Sequence, residues 1–462
     1  MNFRIEKDFL GEKKIPAEAY WGIHTERARE NFPLTGYRIH PELIKALGRV
    51  KKACCLANRE LGYLSDRKAE AILQACDEII AGKFSDQFPV DALQGGAGTS
   101  SNMNVNEVIA NRAAELLGGQ KGDFHRVHPI EDVNLHQSTN DVYPTAVKTA
   151  AISMLRDLSQ AIAALQGAFQ KKEKAFAPIV KMGRTELQEA VPITLGAEFA
   201  AFAEAFARDR WRTFKCEERL RIVNLGGTAV GTGLGAPRAF IFLAIEKLRE
   251  LTGLGLSRGE TLLDATANSD PFVEVSGILK AHGNNLLKVA NDLRILHLLG
   301  EIDLPRLQPG SSIMPGKVNP VLLEAAMQAG LKAMANDLLI TEASSRSTLQ
   351  INEFLPLLAH ALLESLDLLT RIDSQLADFI GQIQANELKC RSYWERSPMT
   401  IAAFLPLIGY DRASDLLQEF QASGRENLRE FLAEKLGKEQ VERVLSPYRL
   451  TALGFTEDEK NA

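Results

Sequence analysis

The sequence predicts an all-α protein built around a bundle of long helices. From Val147 onward the apolar residues Ala151, Met154, Leu158, Ile162, Leu165 and Phe169 recur at steps near three and four. That spacing lays one apolar stripe along a long helix. Leu358, Leu362, Leu369, Ile372, Leu376 and Phe379 repeat the pattern. Alternating apolar–polar runs with hairpin turns are scarce, apart from short pieces near the N-terminus. Stripes this long and regular favour helices crossing at shallow angles.

The remaining elements follow in order. Helices are expected near 41–62, 66–82, 103–117, 194–222, 238–253, 273–298 and 320–345. Ala177-Pro178 closes the long central helix, because proline lacks the N–H and clashes with the preceding turn. The Gly-rich stretch from Gly226-Gly227 to Gly235-Ala236-Pro237 interrupts the pattern again, as does Gln308-Pro309-Gly310-Ser311-Ser312. A chain of 462 residues is too long for one core. Boundaries near 136 and 390 divide it into an N-terminal domain (1–136), a central helical domain (137–390) and a C-terminal helical domain (391–462).

Composition narrows the function classes. Hydrophobic residues make up 45% and charged residues 24%, with a net charge of −5. No basic face invites nucleic acid or an anionic membrane. No run approaches ~18 apolar residues, so no membrane span is expected. The charged stretch Met1–Glu12 lacks the apolar core of a secretory signal, so a cytoplasmic location is expected. The five cysteines (Cys54, Cys55, Cys76, Cys216 and Cys390) lack metal-site spacing and read as reduced thiols.

Four segments differ from helix filler. Gln94-Gly95-Gly96-Ala97-Gly98-Thr99-Ser100-Ser101-Asn102 allows close backbone approach and then opens a helix, as an anion site would. Gln137-Ser138-Thr139-Asn140-Asp141 clusters neutral donors before the long helix. Taken alone, a plain helix cap is the commoner explanation of either run. Lys181-Met182-Gly183-Arg184-Thr185-Glu186 mixes charge with a hydroxyl and has the look of a solvated loop. Gly310-Ser311-Ser312-Ile313-Met314-Pro315-Gly316-Lys317-Val318-Asn319-Pro320 is a loop able to move as a unit, with two hydroxyls, a cation and an amide inside. Together these groups suit a small dianion that gains negative charge. No phosphate loop, dinucleotide fingerprint or metal cluster accompanies them.

The last segment resembles the signature loop of the aspartase/fumarase superfamily, Gly-Ser-Ser-x-Met-Pro-x-Lys-x-Asn, at every fixed position. The other three segments match in the family's order. So do Ala19-Tyr20-Trp21-Gly22 near the N-terminus, and Ile408-Gly409-Tyr410 and Leu453-Gly454-Phe455 near the C-terminus. Gln87-Phe88-Pro89-Val90-Asp91, Gly95–Ser100 and Ser138–Tyr143 resemble the aspartase branch more than the fumarases. The resemblance implies three domains and a homotetramer with a core of twenty helices, each active site being assembled from three subunits. It implies a small dicarboxylate or amino-acid substrate and no cofactor or metal.

The resemblance also implies roles. Ser311 is the base, acting as an alkoxide. Thr99, Ser138, Thr139 and Ser312 hold the β-carboxylate. Thr185, Lys317 and Asn319 hold the α-carboxylate, and Asn140 meets the amine. The implied activity is elimination of ammonia, or an amine, from L-aspartate or an N-substituted aspartate to give fumarate. A fumarase-type hydratase and a non-catalytic paralogue are the alternatives. Two departures bear on this. Glu186 stands where the family has His or Gln, facing the leaving group, and its partner matches Glu324. A carboxylate there suits an ammonium and repels a plain dianion. The family's Ser-Gly-Pro-Arg-x-Gly stretch is also missing, with only Ile295–Gly300 in its place.

Overall fold

The computed structural model describes residues 2–454. Among the C-terminal matches, Phe455 lies outside the described residues. The described chain contains sixteen α-helices and eight short strands. In chain order, β1 (Phe3–Asp8) and β2 (Gly11–Pro16) form a hairpin, and α1 (Ile23–Asn31), α2 (Pro41–Glu60), α3 (Asp66–Ile80) and α4 (Thr99–Leu116) follow. Then come α5 (Thr139–Phe176), the hairpin strands β3 (Val180–Thr185) and β4 (Gln188–Thr194), and α6 (Leu195–Leu220). After β5 (Ile222–Val223), α7 (Arg238–Thr252), β6 (Ser257–Arg258) and α8 (Leu262–Ala267), the long helix α9 spans Asp270–Leu298. The chain continues through β7 (Ile302–Asp303), α10 (Val321–Ser345), α11 (Leu355–Gln382), β8 (Gln384–Ala385) and α12 (Glu387–Arg396). Four further helices close it: α13 (Leu405–Ala422), α14 (Leu428–Leu436), α15 (Lys438–Val444) and α16 (Pro447–Thr451).

The all-α expectation holds, and α5 ends one residue before Ala177-Pro178 as proline dictates. The segment around 181–188 differs from expectation: it is a β-hairpin. Its two-residue turn, Glu186-Leu187, has φ of 51° and 62°. Two left-handed residues give the primed turn whose twist matches the strands. That conformation normally calls for Asn-Gly.

Of the described residues, 2–160, 211–284 and 329–370 form one compact unit, and 161–210, 285–328 and 371–454 form a second. In the first, α2 packs on α3, α4 and α7. Leu43, Leu47, Val50, Cys54 and Ala57 share its buried face at the spacing of a helix stripe. The second unit has a core in which Val180 and Met182 from β3 meet Trp394, Phe404, Leu416, Phe420 and Phe431. This core anchors the β3–β4 hairpin from below, leaving its tip exposed.

Candidate active site

In the first unit, the 94–104 and 137–141 segments form one polar cluster at the starts of α4 and α5. Gly98 precedes α4 with φ 91°, and a Cβ there would lie 2.5 Å from the ring of Tyr143. Only glycine lets the two helix starts come this close. Gln94 Oε1 accepts from the backbone N–H and the hydroxyl of Ser101, both at 3.0 Å, which fixes the preceding turn. Thr99 stands exposed at the first position of α4. Its hydroxyl donates to Gly96 O at 2.8 Å, so it must turn from its own loop before it can donate to an anion.

Ser138 and Thr139 are set the other way. Asn140 N donates to Ser138 Oγ at 3.2 Å, and Asn102 Nδ2 donates to Thr139 Oγ1 at 3.1 Å. Each oxygen is engaged as an acceptor, and each hydroxyl keeps its proton for a ligand. Asn140 Nδ2 donates to Ala229 O at 2.7 Å, which leaves the amide oxygen as the group for a cation. Beneath them the fully buried Asp141 accepts from Ser138 N (3.0 Å), Gly226 N (3.0 Å) and Thr228 N (2.9 Å). It thereby ties the Gly-rich loop to the start of α5. Burial pushes its carboxyl up to about 7, against the pull of these amides and of Lys51.

In the second unit, Thr185 and Glu186 are exposed at the β3–β4 tip. The hairpin base is held by buried charge. Glu301 is fully buried and accepts from Arg184 Nη1 at 2.8 Å. Lys181 Nζ lies 2.8 Å from its second oxygen, without hydrogen-bond alignment, and donates to Glu198 Oε2 at 2.6 Å. Arg184 also lies over the Tyr393 ring, 4.8 Å from its centre. This network lies between the residue before Thr185 and the segment that leads into the Ser311 loop.

That loop is internally braced. Gly310 N donates to Lys317 O at 2.7 Å, and Asn319 Nδ2 donates to Gly310 O at 3.1 Å. Ser311 Oγ accepts from the backbone N–H groups of Ile313 (3.2 Å) and Met314 (2.9 Å). Ser312 and Lys317 are exposed. Glu324 sits in the first turn of α10. Among the described residues, the side chains of Glu186, Lys317 and Glu324 make no hydrogen bond or ion pair within the chain.

Thus Thr99, Ser138, Thr139 and Asn140 gather in the first unit. Thr185, Glu186, Ser311, Ser312, Lys317, Asn319 and Glu324 belong to the second. Sequence reading passed over Lys51, Asn134 and Glu301. The signal for Lys51 was a cation inside an apolar stripe, between Leu47 and Cys54. Among the described residues no His/Cys/Asp/Glu cluster suits a metal, and no helix is long and apolar enough to cross a membrane.

Comparison with known proteins gives this arrangement a context. A family model described as "Lyase" matches residues 11–335. A Bacillus sp. protein named aspartate ammonia-lyase is 47% identical over 98% of both chains. Its namesake from Bacillus subtilis (strain 168) is 44% identical, covering 98% of this chain and 97% of its own. The crystal structure of fumarate lyase:delta crystallin from Brucella melitensis bound to cobalt has a TM-score of 0.94 and 45% identity, covering 98% of this chain and 100% of that one. A class II fumarase from Schistosoma mansoni aligns with a TM-score of 0.90 at 31% identity, over 96% of this chain and 98% of its own. The chain therefore belongs to the aspartase/fumarase superfamily of lyases.

Proposed function

We propose that the chain eliminates ammonia from L-aspartate to give fumarate, with Ser311 as the base. The observation that carries this reading is the pair of N–H groups, from Ile313 and Met314, donating to Ser311 Oγ. A serine hydroxyl removes a weakly acidic proton only if its anion is stabilised, and two amide dipoles aimed at the oxygen do that in a closed, dry site. Ser311 takes the C3 proton, and the C–H electrons pass into the β-carboxylate, which becomes a doubly charged aci-carboxylate. Ser138, Thr139 and Ser312 hold it, and Thr99 joins them by turning its hydroxyl from Gly96. The electrons then return to form the C2–C3 double bond as the C2–N bond breaks and ammonia leaves. Thr185, Lys317 and Asn319 hold the α-carboxylate, and Asn140 presents its amide oxygen to the ammonium.

These residues fall into two groups on the chain, and a homotetramer whose subunits share each site would unite them. Helix α10 supports such an assembly: Leu331, Leu338 and Leu339 are exposed on it, and an apolar helix with several exposed leucines needs a partner. In that assembly Glu186 faces the amine, with Glu324 as the second carboxylate near the leaving group. One observation favours a second reading, a larger amine: Glu186 is an exposed carboxylate with no partner among the described residues.

The test is ultraviolet detection of fumarate from L-aspartate, L-malate and a panel of N-substituted aspartates. Fumarate from aspartate is expected. Product only from a substituted aspartate would shift the substrate to a larger amine. Product only from malate, or from none, would overturn the proposal.

A further inference from the structure

We propose that Lys51, which lies outside the groups that touch substrate, is a positioning residue for this elimination. It orients the amides beneath the Ser138-Thr139 segment so that Thr139 presents its proton to the carboxylate that gains charge. The inference rests on the aci-carboxylate reading above.

Lys51 lies on the buried face of α2 and is 0% exposed. Its ammonium donates to Asn134 Oδ1 at 2.8 Å and to Gln137 Oε1 at 2.9 Å. Both partners are neutral amides whose oxygen and nitrogen ends are close to interchangeable in shape. A cation between them leaves one arrangement, with both oxygens turned inward. Asn134 Nδ2 then donates to Gln137 O at 3.1 Å, and Gln137 Nε2 donates to Val133 O at 3.0 Å and Leu135 O at 3.1 Å. The turn leading into Ser138 is thus fixed at several points.

The orientation passes one step further. Asn134 Oδ1 also accepts from Asn102 Nδ2 at 3.2 Å and from Asn106 Nδ2 at 3.1 Å. With its nitrogen drawn to this shared acceptor, Asn102 donates to Thr139 Oγ1 as well. A threonine oxygen already engaged as an acceptor is left to give its proton outward, toward an anion. Were Asn102 reversed, its oxygen would claim the hydroxyl proton and Thr139 would present lone pairs to a carboxylate, which repels them.

The fold does not need this cation. Leu47, Val50 and Cys54, its neighbours on the same stripe, are apolar and fully buried. A methionine would fill the site without the desolvation cost of a charge whose hydrogen bonds go to neutral amides. The cluster is costly in a second way, since the buried Oδ1 atoms of Asn102 and Asn106 have no donor among the described residues. The other ionisable groups facing Lys51 are Cys54 on α2, Cys76 on α3 and Asp141 on α5. The amides of Ser138, Gly226 and Thr228 already occupy the Asp141 carboxyl. Polar groups kept at such cost beneath a binding segment mark a functional constraint more than a packing one.

The experiment uses the full-length enzyme, Lys51→Met and Lys51→Gln. Two ligands are compared: succinate, a ground-state dicarboxylate, and 3-nitropropionate ionised to its nitronate, which carries the shape and added charge of the aci-carboxylate. We expect nitronate affinity and kcat to fall about tenfold, one step less than removal of a direct donor. Succinate affinity and the KM for aspartate should stay within about twofold of wild type. Equal losses for both ligands would make Lys51 a structural residue, and no loss for either would remove it from the reaction; both results overturn the proposal. If the Lys51 variants do not fold, Asn102→Leu leaves the ammonium and its two acceptors in place and removes only the donor to Thr139. It should show the same selective loss, and unchanged nitronate affinity would overturn the inference. A wild-type enzyme that makes no fumarate from L-aspartate fails the elimination reading instead, whatever the variants do.

Discussion

The backbone N–H of Met314 donates to Ser311 Oγ at 2.9 Å, a bond that lies wholly within the 310–319 loop. The serine oxygen therefore has this donor supplied by its own loop. Ser311→Ala removes the proposed proton acceptor and leaves intact the hydroxyls proposed to hold the carboxylates. Fumarate formation should fall by about 10³-fold or more, within the range of a lost general base. Succinate affinity, measured by calorimetry on the same protein, should stay within about twofold.

Glu186 is exposed at the hairpin tip and has no partner among the described residues. In the proposed site its charge attracts an ammonium and repels a hydroxyl-bearing dianion. Glu186→Gln removes that discrimination. The ratio of kcat/KM for aspartate over malate should drop about tenfold, the size of one modest charge effect. An unchanged ratio across aspartate, malate and N-substituted aspartates would remove Glu186 from substrate selection.

Glu301 holds Arg184 and Lys181 at the base of the same hairpin. Glu301→Gln takes the carboxylate from Arg184 and leaves Lys181 with Glu198 alone, and should cost about 3 kcal/mol of stability. A thermal melt read against wild type checks this. Thr185 follows Arg184 directly, so the KM for aspartate should rise more than kcat falls.

Lys51 also sets a pH dependence. Burial lowers its ammonium from 10.5 to about 8, so the fold disfavours the charged form. The penalty is fully present below pH 8. It is relieved between about 8 and 10.5, where the folded protein has released a proton that the unfolded chain still holds. Lys51→Met lacks this term. The stability of the variant relative to wild type should be greatest at neutral pH and shrink by about 3 kcal/mol over that alkaline window. Melting curves of both proteins from pH 7 to 10 test it; a constant difference would mean Lys51 is not titrating there.

Much of the fold was legible because helices announce themselves by period. The stripe from Ala151 to Phe169 lies within α5, and the one from Leu358 to Phe379 within α11. The β3–β4 hairpin was not legible. Val180, Lys181, Met182 and Gly183 are buried in succession, so the strand shows no alternation, and its Glu186-Leu187 turn lacks the usual Asn-Gly. The signature loop and the hydroxyl clusters stood out by composition. The direction in which each hydroxyl points did not, because it is set by the folded arrangement around it: Gly96 claims the proton of Thr99 within their turn, whereas Asn102, from another segment, frees that of Thr139. Lys51 and Glu301 were missed for a related reason. A lone Lys or Glu in a sequence has the look of a solvated side chain until the structure shows what surrounds it.

The bonds from Gly310 to Lys317 and from Asn319 to Gly310 have a thermodynamic consequence. Ordering free chain costs about 1–2 kcal/mol per residue, and a floppy ten-residue lid would meet that cost in every catalytic cycle. A loop stapled at its neck meets most of it once, when the protein folds. In the proposed reaction, closing would then freeze only a few hinge torsions, and turnover should show a small activation entropy across the temperature range in which the staple holds.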